Sequence, residues 1–459
     1  MVKRLAGFPA VSPKDAGFCE ARLKQFRAAL LRETRELNSL PGAAHIILHK
    51  GRCVFACADG LANLKSRTRF GLDTLCALHG ATKPIVVAAF LTLVDEGKVQ
   101  LSDPISKHVK FPSCVRAPGK GATKTVAAKP APTLRHLLTM TCGLDEAAAL
   151  KKVRKGKIAD LVGLCDALAD TPLLAQPGSR YEYGLTVDVL GRICEVVSGE
   201  PLELFVHRRV LRPLGMKDTH FVVPASKLKR VAALYDAWEK QGAYSKGKAL
   251  YTIHRWSHPE SAPGILSAGG GILSYNDAGM YSTARDYARF CQMILDSGLT
   301  SDGTRLLRAS TVKALWHDGL APYAGRDGRV AGWSDSPEPE WAESILDQKT
   351  EGFWDSNSWS MLNTHLFFDE APCGRTPRKS HTMWMGGGGG AFWAVDSKRK
   401  VAAISMTQCF GGRVVGVADK ADAEAAPLDC LSRPLGRDVT PIAMAAYDEG
   451  ARAAKKARH

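Results

Sequence analysis

One stretch dominates the polarity pattern of the chain. From Ile85 to Val94 only Thr92 is polar, and a helix that is apolar on nearly every side is a buried helix. Gly97 supplies a C-terminal stop. Pro84 falls in the first turn, where backbone N–H groups have no intrahelical partner. The pattern predicts a buried helix starting near Gly80, with Gly80 and Lys83 three apart on one face. Upstream, Asp15 to Asn38 reads as an amphipathic helix with Leu23, Phe26, Leu30 and Leu31 near one face. Pro41-Gly42 breaks it. Ala44 to Leu48 and Val54 to Ala58 then read as two strands joined through His49-Lys50-Gly51-Arg52, a hairpin with a glycine turn. Downstream, Thr133 to Leu144 predicts a helix stopped by Gly143, and Ile158 to Ala169 a further one. A third carries Leu190, Ile193, Cys194 and Val197 on one face and stops at Gly199. Ser282 or Thr283 caps the next helix. Val401 to Met406 reads as a strand, and Thr440-Pro441 opens a last helix.

Composition narrows the class without naming a function. The 459 residues are 45% hydrophobic, enough for two globular domains or one large composite one. The longest apolar run, Ile85 to Leu91, is far short of a membrane span. Twelve cysteines lie scattered from Cys19 to Cys430 with no C-x-x-C pair, which reads as reduced thiols and a cytoplasmic location. His254 and His258 lie in a loop-like stretch beside Pro259 and read as solvated rather than metal-bound. No metal and no cofactor is expected. The net charge of +16 gathers in Arg116–Lys129, Lys151–Lys157, Arg375–Lys379 and Arg452–His459. Each cluster sits beside Pro, Gly or Ala rather than interleaved aromatics, so solvated loops and a tail are expected, not a nucleic-acid groove. Gly119 to Thr125 lacks phosphate-loop spacing.

The candidate chemistry begins at Thr74-Leu75-Cys76-Ala77-Leu78-His79-Gly80-Ala81-Thr82-Lys83-Pro84. This stretch resembles the nucleophile segment of the serine β-lactamase, D-Ala-D-Ala carboxypeptidase and β-lactamase-like esterase superfamily, where an S-x-x-K motif opens the helix. In that motif Ser attacks a carbonyl and Lys, one turn later, moves its proton. Here Lys83 is present and the Ser position is Gly80. Arg135-His136-Leu137-Leu138-Thr139 to Gly143-Leu144 is similar to the family's R-H-L-L-T-H-T-S-G-L, and His136 reads as a helix-packing residue. Gln176-Pro177-Gly178-Ser179-Arg180-Tyr181-Glu182-Tyr183-Gly184 is similar to Q-P-G-x-x-W-x-Y-S. That match makes Tyr183 the partner of the motif Lys, as base or proton relay, and Gly184 stands where Ser is usual. Pro213-Leu214-Gly215-Met216-Lys217-Asp218-Thr219 and Ser267 to Ile272 extend the likeness. The third motif resembles Trp384-Met385-Gly386. Counting back from Val395-Asp396 sets it instead at Met385-Gly386-Gly387. Gly80, Trp384, Gly386, Gly387 and Gly388 are therefore the candidate binding positions, the last four on a strand whose backbone lies against the ligand, with backbone N–H groups at Gly80 and on that strand offered to an oxyanion.

The resemblance implies an α+β fold, an α/β sandwich with an antiparallel sheet flanked by the N- and C-terminal helices. It implies a sheet domain from residues 1–111 and 262–459, and an inserted, mostly helical domain from 112–261. The stretch Asp318 to Lys379, with Trp333, Trp341, Trp354 and Trp359, lies outside it, and scattered tryptophans most often cover a core. Fold does not give function. Deleting the nucleophile of a serine hydrolase costs on the order of 10⁶ in turnover, or about 8 kcal/mol of barrier. Two classes of function stay open. One is a catalytically impaired relative that binds a small ester, amide or carboxylate in the old cleft. The other is a hydrolase or acyl transferase using a substitute nucleophile or activated water.

Overall fold

The structure is a computed structural model of the chain, and it describes residues 5–36, 40–117, 124–155, 157–158, 160–236, 252–253, 279–323, 359–367, 380–410 and 446–453. The His254/His258 pair, the Ser267–Ile272 match, Trp333, Trp341, Trp354, Thr440-Pro441 and the last residues of the basic tail lie outside them.

An eight-stranded antiparallel sheet forms the frame. Its strands are β1 (Gly42–His49), β2 (Arg52–Asn63), β3 (Thr68–Arg69), β4 (Trp359–Ser360), β5 (Thr364–Phe367), β6 (Thr382–Gly386), β7 (Phe392–Asp396) and β8 (Val401–Thr407). The order across the sheet is β4-β5-β6-β7-β8-β1-β2-β3. The two ends of the chain thus meet at the β1–β8 pair, from Ala43 opposite Thr407 to His49 opposite Val401. The β1–β2 hairpin is the one that the alternating pattern predicts. Its turn uses Lys50 and Gly51, both at positive φ, as tight hairpin turns require.

Alternation along the strands sends side chains to opposite layers. On one face Ala43, Ile47, Val54, Ala403, Trp384 and Phe392 form a core with Leu23, Phe26 and Leu30 of α1 (Glu20–Leu31). The C-terminal segment 446–453 is helical and closes this layer. The Cys19 N–H donates to Ala446 O, and Arg399 pairs with Asp448 at 2.8 Å. The N-terminal helix starts later than its polarity suggests, because Gly17 takes φ +80° just before it. It also ends in a π turn over Arg32–Glu36.

On the other face Ile46, Leu48, Met383, Met385, Trp393 and Ile404 share a core with α2 (Lys83–Asp95) and the helices beyond it. Every residue of α2 from Lys83 to Leu93 except Thr92 is buried below a few per cent exposure, as its apolar sequence demands. Beyond α2 the chain forms α3 (Leu134–Leu138), α4 (Ala147–Arg154), α5 (Leu161–Ala169), α6 (Thr186–Ser198) and α7 (Leu202–Val206). The first of these is shorter than the pattern predicts. Met140 and Gly143 both take positive φ, which breaks the helix after Leu138. His136 closes a capping box with Thr133 and packs on Tyr323 at 5.2 Å. Helix α6 ends where expected, at Gly199 in the left-handed conformation. Thr283 caps the helix Ala284–Leu295 by accepting from the Asp286 N–H.

Candidate functional site

The cleft is built where the start of α2 meets the end of β6. Leu78 leads into a 3₁₀ turn over His79–Thr82, and α2 proper begins at Lys83 rather than Gly80. His79 takes φ +45°, uncommon for a non-glycine residue. The turn is fixed from outside. The Tyr287 hydroxyl donates to Ala81 O at 2.7 Å, and Thr82 Oγ1 accepts from the Met280 N–H at 3.0 Å. Thr82 is thereby occupied structurally.

Gly80 lies inside a closed wall. A Cβ at that position would sit 2.8 Å from Gly386 O, 3.1 Å from the Tyr183 hydroxyl and 3.3 Å from Met385 Cε. Contacts under 3 Å to backbone demand movement of the chain. The wall is tight because the glycine run presses on the segment before α2. A Cβ at Gly387 would meet Leu78 O at 1.9 Å. Only glycine permits that approach.

Lys83 is fully buried, with Nζ 4.6 Å from the centroid of the Tyr183 ring. Tyr183 reaches Gly80 with its hydroxyl while the residue as a whole is 44% exposed, so it forms the open side of the cleft. Gly80, Lys83, Tyr183 and the end of β6 therefore come together.

The strand differs from its expected form in two respects. Trp384 does not face the cleft. It points into the α1 layer and stacks on Phe392 at 5.5 Å, and Met385, one residue on, is the side chain that faces Gly80. This is the strand alternation, and it corrects Trp384 as a binding position. Nor does the glycine run continue as strand. Pairing ends at Gly386, and Gly388 lies exposed in the turn that follows. The Gly387 N–H donates to Ala391 O at 2.7 Å, and the group that β6 aims at Gly80 is the Gly386 carbonyl, an acceptor rather than an oxyanion donor.

One residue is in the cleft that its sequence does not announce. Glu146, between α3 and α4, leans its carboxyl against Gly184. A Cβ at Gly184 would lie 1.9 Å from Glu146 Oε1. The Leu185 N–H, at the start of α6, donates to that same oxygen. Burial pushes the carboxyl up to about 8. The Leu185 N–H opposes the shift, the nearby Asp188 and Glu182 charges add to it, and the Lys83 charge lowers it. The small residue at 184 is the only sequence sign that something else fills that space.

Among the described residues, neither Cys76 nor Cys142 offers a ready nucleophile here. Cys76 is buried and its thiol is held far above its ordinary value by loss of water, and Cys142 is pushed up to about 12 by the same cause. Among the described residues no group of His, Cys, Asp and Glu has the arrangement of a metal site, and no helix is long and apolar enough to cross a membrane. A surface cavity of about 270 Å³ opens between α7 and the Thr219–Phe221 segment. It shares no residue with the cleft.

Comparison with known proteins agrees with the fold. The beta-lactamase family model matches residues 27–426. Esterase EstB of Burkholderia gladioli is 28% identical over 420 residues, covering 87% of this chain and 93% of EstB. The solved structure of EstCE1, a hydrolase with promiscuous acyltransferase activity, superposes with a TM-score of 0.60 at 21% identity, over 87% of this chain and 96% of that one. Simvastatin synthase (LovD) from Aspergillus terreus, as its LovD6 mutant, gives 0.66 at 20% identity, over 94% of this chain and 96% of its own. With the family model spanning most of its length and the same fold in these neighbours, the chain belongs to the beta-lactamase family.

Proposed function

We propose that this chain is a catalytically impaired member of the family that keeps the cleft as a binding site for a small ester, amide or carboxylate. The observation that carries the reading is the wall at Gly80. Position 80 is where the S-x-x-K resemblance sets the attacking hydroxyl, and it has no side chain. The first atom of one would stand 2.8 Å from a backbone carbonyl. Lys83 and Tyr183 are there to move a proton, but position 80 gives them no side-chain hydroxyl to activate. Thr82 is held by Met280 and Cys76 is buried as a neutral thiol, so neither substitutes.

Binding needs less than catalysis. The Tyr183 hydroxyl donates to a ligand carbonyl, and the Gly386 carbonyl accepts from an amide N–H. EstB and EstCE1, named as esterase and hydrolase, make acyl compounds the natural ligand class. The test is intact-mass spectrometry after incubation with fluorophosphonate and β-lactam probes, alongside turnover of a p-nitrophenyl ester. The reading expects no adduct and no turnover above that of a Lys83→Ala variant. An adduct mapped to residues 79–83 or to Tyr183, with turnover lost in Lys83→Ala, contradicts it.

A further inference from the structure

The surface cavity beside α7 lies outside the cleft, and the reading above gives it no role. We propose that it is a second binding site, which takes a small organic ammonium ion: one ring or a short alkyl chain carrying a single cationic head.

The cavity is built on an irregularity in a helix. The chain does not leave the helix at the end of α7 but runs into a π turn over His207–Leu211, and Arg212–Leu214 then resumes the α-helical pitch. Single π turns inside α-helices are rare and occur frequently at functional sites. This one stands against the Thr219–Phe221 segment, which is fixed by a pair of backbone hydrogen bonds between His220 and Tyr281 at 2.9 and 2.7 Å. The space between them is about 270 Å³, room for a ligand smaller than a drug-sized molecule. Leu204, Leu211 and Phe221 supply its apolar walls. Leu211 and Phe221 are buried, whereas Leu204 is 56% exposed, so the apolar wall runs out to solvent.

The polar side chains that line the cavity set the charge it accepts. Glu203, half-buried, has no hydrogen-bond or ion-pair partner among the described residues. The charges around it are already matched: Arg208 with Glu200, Arg209 with Glu96, and Asp218 with both Lys227 and Arg230. His220 adds no positive charge, because burial and the Lys227 charge push its imidazolium down to about 4. Its Nε2 lies 3.1 Å from Lys227 Nζ. An ammonium has no acceptor, so Nε2 accepts and the ring proton sits on Nδ1. His207, four residues after Glu203, is the other imidazole on the lining. The uncompensated charge is thus a carboxylate beside an apolar wall. A carboxylate accepts the N–H groups of an ammonium in charge-assisted bonds, and the wall covers the hydrocarbon attached to it. An anionic ligand meets Glu203 as a like charge, which separates this site from the cleft and its acyl ligands.

Titration of the full chain with benzylammonium, benzyl alcohol and benzoate, followed by amide chemical shifts, tests this at pH 8, where ordinary imidazoles are neutral. Benzylammonium should bind with a Kd on the order of 1 mM, as suits so few atoms, and its largest shifts should fall at residues 203–211 and 219–221. Benzyl alcohol has the same shape without the charge and should bind about tenfold more weakly, and benzoate more weakly still. Glu203→Gln should bring benzylammonium down to the level of the alcohol and leave the alcohol unchanged, a split that a purely structural role for Glu203 would not produce. Leu204→Gln, at an exposed position that folding does not depend on, should weaken both by about threefold. Equal affinity of Glu203→Gln and wild type for benzylammonium overturns the proposal. So does tighter binding of benzoate at the same residues. Benzylammonium shifts confined to the cleft around Lys83 and Tyr183, or no shifts with any of the three, overturn it as well.

Discussion

Gly80 and Gly184 are two places in one cleft where the backbone carries no side chain, and the protein fills them differently. At Gly80 the space is taken by main chain, the Gly386 carbonyl at the end of β6. At Gly184 it is taken by the end of a side chain, the Glu146 carboxyl. A side chain can rotate away at small cost. A carbonyl in the last pair of a strand moves only if the strand moves, and β6 is held by its pairing to β5 and β7. The bare backbone at position 80 is therefore walled in by the sheet, whereas position 184 is filled by a side chain that the Leu185 N–H holds.

The most damaging way to probe that difference is to push the backbones apart. In Gly387→Ala the new methyl meets Leu78 O at 1.9 Å. Overpacking costs about 1–3 kcal/mol and occasionally more, and a backbone-to-backbone conflict falls at or above the top of that range. Chemical denaturation should show it, and a loss below about 1 kcal/mol would mean that the turn over His79 yields easily.

Gly80→Ser comes next. Its Cβ meets one backbone atom at 2.8 Å and two flexible groups at 3.1 and 3.3 Å, so destabilisation of about 1–2 kcal/mol is expected. An unchanged or raised melting temperature would show that the wall at Gly80 is soft.

The pH dependence of stability separates the two faces of the sheet. Glu146 on the cleft side has a folded value of about 8, above its ordinary 4.5. The folded state holds the extra proton in that window, so stability falls as pH rises from about 4.5 to 8 and levels off above it. His45, on the α1 face, is fully buried against Phe26 at 5.0 Å. Neither of its ring nitrogens has a hydrogen-bond partner among the described residues. Burial holds it near 3, below its ordinary 6.5, so stability falls as pH drops through that window. Each slope is at most about 1.4 kcal/mol per pH unit. Glu146→Gln should flatten the alkaline limb and His45→Gln the acid limb, in urea titrations across pH. Unchanged slopes would remove the asymmetry.

The smallest effect is expected at Gly184→Ala. The conflict is with the end of a side chain rather than with backbone, so the loss should stay below about 1 kcal/mol, under the usual cost of overpacking. A larger loss would mean that Glu146 is held as firmly as Gly386.

Much of this was legible in the sequence. The run Ile85–Val94 could only be a buried helix, and the hairpin, α6 with its Gly199 stop, and the Thr283 cap follow from periodicity and turn chemistry. Gly80, Lys83 and Tyr183 stand out because the stretches around them, Thr74–Pro84 and Gln176–Gly184, each resemble a motif of the family. What was hidden depends on register or on distance along the chain. A one-residue choice of register decides whether Trp384 or Met385 faces the cleft, and the glycine run has no side chains with which to settle it. Glu146 reaches Gly184 across 38 positions, and no local pattern links them. The orientation of the Gly386 carbonyl is a property of the backbone that no side chain encodes.

The central claim is that position 80 is closed by the strand and not merely bare. Turnover of a p-nitrophenyl ester by Gly80→Ser, measured together with intact mass after fluorophosphonate treatment, tests it most directly. A closed wall predicts that the restored hydroxyl gains neither adduct nor turnover over wild type. Stoichiometric labelling at position 80 with turnover that Lys83→Ala abolishes would contradict it, and would mean that the cleft needs only its missing oxygen.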